Sequence, residues 1–322
     1  MSSDSASSDS ASSDSAKAIL AALAANCGIA AAKFTGYVIT GSAAMLAEAV
    51  HSVVDTSDQA LLLYGQRAAA KAPDALHQFG HGRSRFFWSF VVALVLFSLG
   101  AMFALYQGYD KIKHPVELSS PAVAIAILVV AIGLETYSFR TAMAESRPLK
   151  GEASWWHFVR NSRNPELPVV LLEDAAALVG LALALAGVGL SALTGNPVWD
   201  GVGTLGIAVL LGMVAALLMV EMHSLLIGEG ATAAEEQAIR AALDATANVT
   251  RLIHIRTQYL GPDEMLVGAK IALQPSLDLA GVAAAIDAAE VNIRAAVPCA
   301  RVIYLEPDLD RTPMPDSLQQ KG

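Results

Sequence analysis

The chain has 322 residues, of which 54% are hydrophobic and 16% charged, and its mean hydropathy is +0.48. Soluble domains carry about 25% charged residues, so this composition excludes an ordinary soluble protein. The net charge of −9 and the lack of a dense Lys/Arg cluster argue against a nucleic-acid partner. The two cysteines, Cys27 and Cys299, are too few and too far apart for a disulfide framework or a CxxC metal site.

Residues 1–16 are a repeat of Ser, Asp and Ala, which offers no apolar surface to bury. We expect a disordered tail there. The segment after it contains six apolar stretches, each close to the roughly 20 residues that cross a bilayer as a helix. These stretches run from about Ala18 to Thr40, Ala43 to Arg67, Phe86 to Tyr106, Pro121 to Phe139, Pro168 to Leu193 and Trp199 to Leu226. Residues 17–228 are therefore predicted to be a multi-pass membrane domain of six transmembrane helices.

Basic residues predict the orientation of this domain. They are concentrated in the loops after the second and fourth stretches: Arg67, Lys71, Arg83 and Arg85 in the first loop, and Arg140, Arg147, Lys150, Arg160 and Arg163 in the second. Because short cytoplasmic loops are enriched in Lys and Arg, both termini are expected in the cytoplasm.

Residues 229–308 have the composition of a small soluble domain. Thr232 and Glu235 form a capping box that opens a helix. Two strands, a helix and a third strand follow, at Arg251–Leu260, Met265–Leu273, Leu279–Ala295 and Ala300–Leu305. The order αββαβ predicts a small α+β, ferredoxin-like cytoplasmic domain. Residues 309–322 are expected to be a loose tail.

The second stretch carries ionisable residues that are costly in a membrane. Glu48, His51, Asp55 and Asp58 are 3, 4 and 3 residues apart, which places them on one helix face. An Asp at mid-membrane costs about 2.5–3.5 kcal/mol on insertion scales, so such residues are expected to have a role. His51 and Asp55 form an H-x-x-x-D pair of ligand types that zinc accepts. A structural His–Asp pair is the alternative interpretation.

A second helix is needed to complete a metal site, and the fifth stretch supplies the adjacent acidic residues Glu173 and Asp174. A separate cluster lies in the loop after the second stretch. There Asp74, His77 and His81 offer three ligands within eight residues, beside glycines that permit a tight turn. We predict that this cluster is a second, exposed metal site.

These motifs resemble those of the cation diffusion facilitator family of zinc transporters. The resemblance rests on G-S-A-A-M-L-A-E-A-V-H-S-V-V-D at 41–55 and H-Q-F-G-H-G-R at 77–83, and it covers about residues 17–308. It implies a homodimer of multi-pass subunits in a lipid bilayer, the plasma (inner) membrane if the source is bacterial. It also implies that His51 and Asp55 form half of a transport site, and that Asp74, His77 and His81 match a secondary loop site.

One departure from the family pattern affects the fifth stretch. Family members carry His or Asp four residues before the position of Asp174, and here that residue is Val170. Glu173 is a candidate replacement, although neighbouring residues on a helix point about 100° apart. The V-V-L-L-E-D pattern at 169–174 is similar to the branch that contains the mitochondrial zinc transporter of animals.

The resulting prediction is a proton-coupled antiporter that exports a divalent cation by alternating access, and not an enzyme. Zn²⁺ is the favoured substrate, while Co²⁺, Fe²⁺, Mn²⁺, Cd²⁺ and Ni²⁺ also suit His/Asp ligands. Protons are the expected counter-ion, because imidazole exchanges a proton near neutral pH. Two alternatives remain: a non-transporting assembly protein with a decayed site, and a metal-dependent membrane hydrolase, for which no motif is present.

Overall fold

A computed structural model of the protein describes residues 27–152 and 154–308, so the predicted tails at 1–16 and 309–322 lie outside the described residues. The chain divides into two compact units. One contains the residues up to Arg67 together with Arg85–His223, and the other contains Ala68–Ser84 together with the residues from Ser224 onward. The sequence had assigned the loop at 68–84 to the membrane domain. It belongs instead with the sheet unit, where Gly82 packs so closely that an added Cβ would lie 2.8 Å from the carbonyl oxygen of Leu260.

The first unit is helical, as its long apolar runs predict. Its helices are α1 (described over 27–40), α2 (Ala43–Ala69), α3 (Ser84–Lys113), α4 (Pro121–Lys150), α5 (Trp155–Asn161), α6 (Glu166–Thr194) and α7 (Val198–Ile227). The short helix α5 lies in a segment that the sequence suggested was a loop. Its N-cap is Ser154, whose hydroxyl accepts a hydrogen bond from the backbone N–H of His157 at 3.1 Å.

Four helices of the described chain are long and apolar enough to cross a membrane: α3, α4 over Pro121–Ala144, α6 and α7. They confirm the predicted helical membrane domain. The helix α2 has 27 residues, but its polar face makes it less apolar than those four. The described part of α1 is too short for the same test, so the count of six transmembrane helices stays a prediction.

Close helix packing and a buried carboxylate at the N-terminus of α2 fix the relative positions of helices in this unit. An added Cβ on Gly203 of α7 would lie 2.9 Å from the carbonyl oxygen of Leu183 on α6, so only glycine permits that approach. The buried carboxylate of Asp200, also on α7, accepts hydrogen bonds from the N–H of Ala43 at 2.8 Å and from the Ser42 hydroxyl at 2.6 Å. This arrangement satisfies amide groups that a helix leaves unpaired at its N-terminus, and it ties the start of α2 to α7.

The second unit contains α8 (Ala233–Asp244), β1 (Val249–Gly261), β2 (Glu264–Leu273), α9 (Leu279–Ala296) and β3 (Ala300–Asp308). The strands form a sheet of order β1-β2-β3, in which β2 is antiparallel to β1 and parallel to β3. The predicted capping box at Thr232 and Glu235 is present. The two helices cover the sheet around a core that includes Ile239, Ile271 and Ile293. The element order is therefore the predicted αββαβ.

The last strand extends three residues beyond the predicted end at Leu305. Pairing with β2 continues to Asp308, and the Lys270 ammonium lies 2.9 Å from Glu306 and 3.4 Å from Asp308. These ion pairs raise the pKa of Lys270, with the hydrogen bond to Glu306 as the largest cause. Glu306 is therefore engaged with a cation of its own chain.

Candidate metal sites

The polar face of α2 lies inside the helical unit. Glu48 and Asp58 are fully buried, and His51 is 1% exposed. Asp55 is less buried and lies on the same face, as the spacing predicts. Desolvated ionisable groups are costly unless they are paired or hold an ion. This face therefore carries an energetic cost that its partners must offset.

His51 and Asp55 are adjacent, with 3.3 Å between Nδ1 of the imidazole and Oδ1 of the carboxylate. The two atoms are close enough for a hydrogen bond, but the relative orientation of the two groups does not allow one. Within the described residues, both ring nitrogens of His51 and Oδ1 of Asp55 have no hydrogen-bond partner. Both side chains thus keep ligand atoms available in a buried setting.

Asp55 opens onto a small cavity of about 20 Å³, which is large enough for about one water molecule or ion. Its walls come from four helices, and all but one of the lining side chains are polar. The lining residues are Ile29, Ser52, Asp55, Gln59, Glu135, Ser138 and Asp174. The carboxylates of α2, α4 and α6 therefore face one small space.

Asp174 is the residue of α6 that reaches this cavity. Its Oδ2 accepts a hydrogen bond from the Ser138 hydroxyl of α4 at 3.0 Å. Glu173 is not among the lining residues, and its side chain meets the carboxylate of Asp58 on α2. Two carboxylates can form a hydrogen bond only if one carries a proton. When both are ionised, Oε1 of Glu173 and both carboxylate oxygens of Asp58 have no partner among the described residues.

A fully buried ammonium group lies beside these acidic residues. Lys33 of α1 places its Nζ 3.2 Å from Oε2 of Glu48, 2.8 Å from the Ser52 hydroxyl and 3.8 Å from Oε1 of Glu135. The sequence analysis singled out neither Lys33 nor Glu135. Both are ionisable residues within predicted apolar stretches, so a search for every charged residue in those stretches would have found them.

The loop cluster has the opposite environment. Oδ1 of Asp74 accepts hydrogen bonds from the N–H groups of His77 at 2.6 Å and Leu76 at 2.9 Å, and its Oδ2 lies 3.2 Å from Nε2 of His81. The side chains of Asp74 and His77 are about half exposed, at 52% and 49%. The His77 amide, followed by Leu76 and His81, lowers the pKa of Asp74 to about 2. Asp74 is therefore an anion throughout the neutral range.

The three loop side chains form a ready chelate. One ligand atom from each of Asp74, His77 and His81 lies within 4.8 Å of the others, and no other group of three such residues in the described ranges 27–152 and 154–308 meets that distance. A positive φ of 78° at Gly80 lets the chain turn between the two histidines. The structure thus brings together all three residues of the predicted loop cluster. In the helical unit it brings His51 to Asp55, and Asp55 to the same cavity as Asp174.

Comparisons with known proteins match these features. The sequence profile of the cation efflux transmembrane domain matches residues 19–227. The mitochondrial proton-coupled zinc antiporter SLC30A9 of Xenopus laevis is 34% identical over 242 residues, which are 74% of this chain and 43% of that protein. Metal tolerance protein C4 of Arabidopsis thaliana is 32% identical over 263 residues, covering 79% of this chain and 56% of that protein. The chain thus spans about half the length of these relatives.

A solved structure of the C-terminal domain of MamM covers 24% of this chain and 94% of its own chain, with 16% identity and a TM-score of 0.23.

Proposed function

Because the chain belongs to the cation efflux, or cation diffusion facilitator, family, we propose that it carries a divalent cation, with Zn²⁺ as first candidate, across a lipid bilayer by alternating access. The observation that carries this proposal is the cavity lined by Asp55, Glu135 and Asp174. Two aspartates on different helices can hold an ion only while those helices stay close. Helix movement can therefore couple release of the ion to opening of the site.

We assign His51, Asp55 and Asp174 to the transport site. Imidazole nitrogen and carboxylate oxygen are ligands that zinc prefers, and their charges offset the desolvation of a dication. Glu173 supports the same site indirectly, through its contact with the Asp58 carboxylate of α2. Asp74, His77 and His81 form a secondary site that collects the ion at the surface.

Protons are the proposed counter-ion. A cation that binds His51 must displace any proton from the ligating nitrogen, because imidazole binds a metal only through an unprotonated nitrogen. A proton would also relieve the repulsion between the buried carboxylates after the cation leaves. The name of the Xenopus relative, a proton-coupled zinc antiporter, supports the same exchange.

The arrangement in the membrane is also part of this proposal. A homodimer, six transmembrane helices per subunit, a ferredoxin-like domain on the cytoplasmic side and export from the cytoplasm follow from the family resemblance. The basic residues of the loops after α2 and α4 favour cytoplasmic termini.

The competing functions are less well supported. A decayed, non-transporting protein has no need to keep four ionisable residues buried on α2, because apolar substitutes are less costly there. A hydrolase needs a metal with an open position beside a general base and a substrate path. The described residues that line the cavity offer carboxylates as ligands, but no H-E-x-x-H or comparable motif supplies a general base beside a metal.

Zinc uptake into proteoliposomes is the decisive experiment. With the full chain reconstituted and a pH gradient imposed, we expect uptake that collapses when an ionophore dissipates the gradient. Protein-free liposomes and a variant with His51→Ala and Asp55→Ala are the controls. Uptake that equals these controls would overturn the proposed function, and uptake unaffected by the ionophore would remove protons from the mechanism.

A further inference from the structure

The ligand set assigned above leaves one position open. Zinc in proteins is usually four-coordinate, and His51, Asp55 and Asp174 supply three ligands. The neighbouring acidic residue on α6, Glu173, does not line the cavity and meets Asp58 instead. The fourth ligand must therefore come from water or from another helix.

Helix α4 presents a carboxylate to the same cavity. Glu135 lines it together with Asp55 and Asp174, and it lies one turn before Ser138, which holds Asp174. The other polar lining groups are hydroxyls and an amide, which are neutral. Glu135 is the remaining anion of the cavity wall, and a carboxylate is a better ligand for a dication than these neutral groups.

Lys33 compensates the charge of Glu135 only in part, because it is shared with Glu48. One ammonium group cannot neutralise two carboxylates, and its two shorter contacts, at 2.8 and 3.2 Å, go to Ser52 and Glu48. Glu135 lies 3.8 Å away, which is an ion-pair distance but not a hydrogen bond. A cation in the cavity could therefore draw Glu135 inward without unpairing Lys33.

We propose that Glu135 of α4 is a direct ligand of the transported cation and completes the site formed by His51, Asp55 and Asp174. Lys33 acts as a positioning residue, which holds the Glu135 carboxylate at the cavity wall until a cation arrives. This inference rests on the proposed function. It extends the cation site to a third helix, so α4 would move with α2 and α6 when the ion binds.

Zinc titration of the purified full chain tests the proposal most directly. The loop cluster is first removed by Asp74→Ala, His77→Ala and His81→Ala, so that the remaining binding reports the membrane site. In this parent, Glu135→Gln keeps the size of the side chain and removes its charge. Altering residues that merely support a ligand costs about 10–100-fold in metal affinity, so we expect a loss of at least about 100-fold.

The control is Glu221→Gln on α7. Glu221 is as buried as Glu135, with 12% of each side chain exposed, and it also pairs with a basic residue, Arg160. Glu221 does not line the cavity, so the zinc affinity of Glu221→Gln should match that of the parent. An equal loss in both variants would mean a general effect of removing a buried charge and would overturn the proposal.

Cobalt absorption spectra and a conservative variant separate a ligand from a structural role. Co²⁺ bound to the parent should show the intense bands of tetrahedral coordination, and Glu135→Gln should change them, while Glu135→Asp should restore most of the zinc affinity and shift the bands less than Glu135→Gln does. If Glu135→Gln fails to fold, Glu135→Asp against the parent still gives the comparison, because a shorter carboxylate must shift the spectrum of a direct ligand. Unchanged zinc affinity and an unchanged cobalt spectrum in Glu135→Gln would overturn the inference. If the chain with its loop cluster intact binds zinc but moves none in liposomes, the proposed function would be overturned instead.

Discussion

Two clusters of the same residue types, His and Asp, have opposite environments in this protein. In the helical unit, His51 is 1% exposed and its ring nitrogens have no hydrogen-bond partner among the described residues. In the loop, Asp74 accepts two backbone hydrogen bonds and one side-chain contact, and it is half exposed. The loop residues satisfy one another, whereas His51 and Asp55 keep ligand atoms that have no hydrogen-bond partner among the described residues.

This difference determines what each cluster can do. Charges in a low-dielectric interior interact far more strongly than charges near water. Binding or release of a dication should therefore change the free energy of the buried site strongly. At the loop, water and salt compete for the same ligands. The buried cluster is therefore suited to a step that must couple to helix movement, and the loop is suited to rapid, reversible capture.

The largest expected effect belongs to Asp174. Asp174→Asn keeps the volume but removes one of the charges that balance a buried dication, so zinc flux in proteoliposomes should fall to the background of protein-free vesicles. Ser138→Ala is the matched control, because it removes the hydrogen bond to Oδ2 and leaves the carboxylate. The zinc flux of Ser138→Ala should fall by about 10-fold, as is typical when a residue that orients a ligand is removed.

His51→Asp is expected to change selectivity more than rate. Replacing the imidazole with an oxygen ligand should favour harder or larger ions, so transport of Mn²⁺ or Cd²⁺ relative to Zn²⁺ should rise by about 10-fold, which corresponds to about 1.4 kcal/mol. Competition between metals in the flux assay measures this ratio. An unchanged metal profile would remove His51 from the site.

The sequence predicted the helices well where the physical signal was local. Apolar runs predicted α3, α4, α6 and α7, and the capping box at Thr232 predicted the start of α8. The attachment of the loop at 68–84 to the sheet unit was missed. It depends on the approach of Gly82 to Leu260, and these residues are far apart in the chain.

The candidate site was predictable only in part for the same reason. Helical spacing was enough to place His51 and Asp55 together, because both lie on one helix. The choice between Glu173 and Asp174 depends on the rotation of α6 against its neighbours, which the sequence alone does not fix. Lys33 and Glu135 were missed because each is the single charge in its predicted apolar stretch, and their interaction becomes visible only when α1 and α4 pack together.

Glu173→Gln should have a partial effect. The side chain is buried against Asp58 and does not reach the cavity, so neutralising it should relieve repulsion between two carboxylates and reduce flux by no more than about 10-fold. Asp58→Asn should behave alike, since it changes the other member of the pair. If Glu173→Gln abolishes transport while Asp174→Asn remains active, then Glu173 is the ligand and the rotation of α6 described here is wrong.

The smallest effect is expected at the loop. Converting Asp74, His77 and His81 together to Ala should slow zinc uptake about 2–3-fold at low zinc without abolishing it, because exposed charges contribute little in water.

The pH dependence of zinc binding gives a sharper test of the loop itself. Since the pKa of Asp74 is lowered to about 2, its carboxylate stays ionised throughout the neutral range. Protonation of Asp74 should therefore not weaken metal binding at the loop as pH falls from 7.5 to 5.5.

The matched variant for this test is Asp74→Ala alone, in a background where His51→Ala and Asp55→Ala silence the buried site. It should bind zinc more weakly at every pH and keep the same pH dependence between pH 7.5 and 5.5, because the Asp74 carboxylate that it removes stays ionised throughout that range. A loss of pH dependence in Asp74→Ala would show that the carboxylate, and not the imidazoles, controls capture at the loop. Complete loss of transport in a folded triple variant would place the loop cluster on the main path of the ion, and the contrast between the two clusters would then no longer hold.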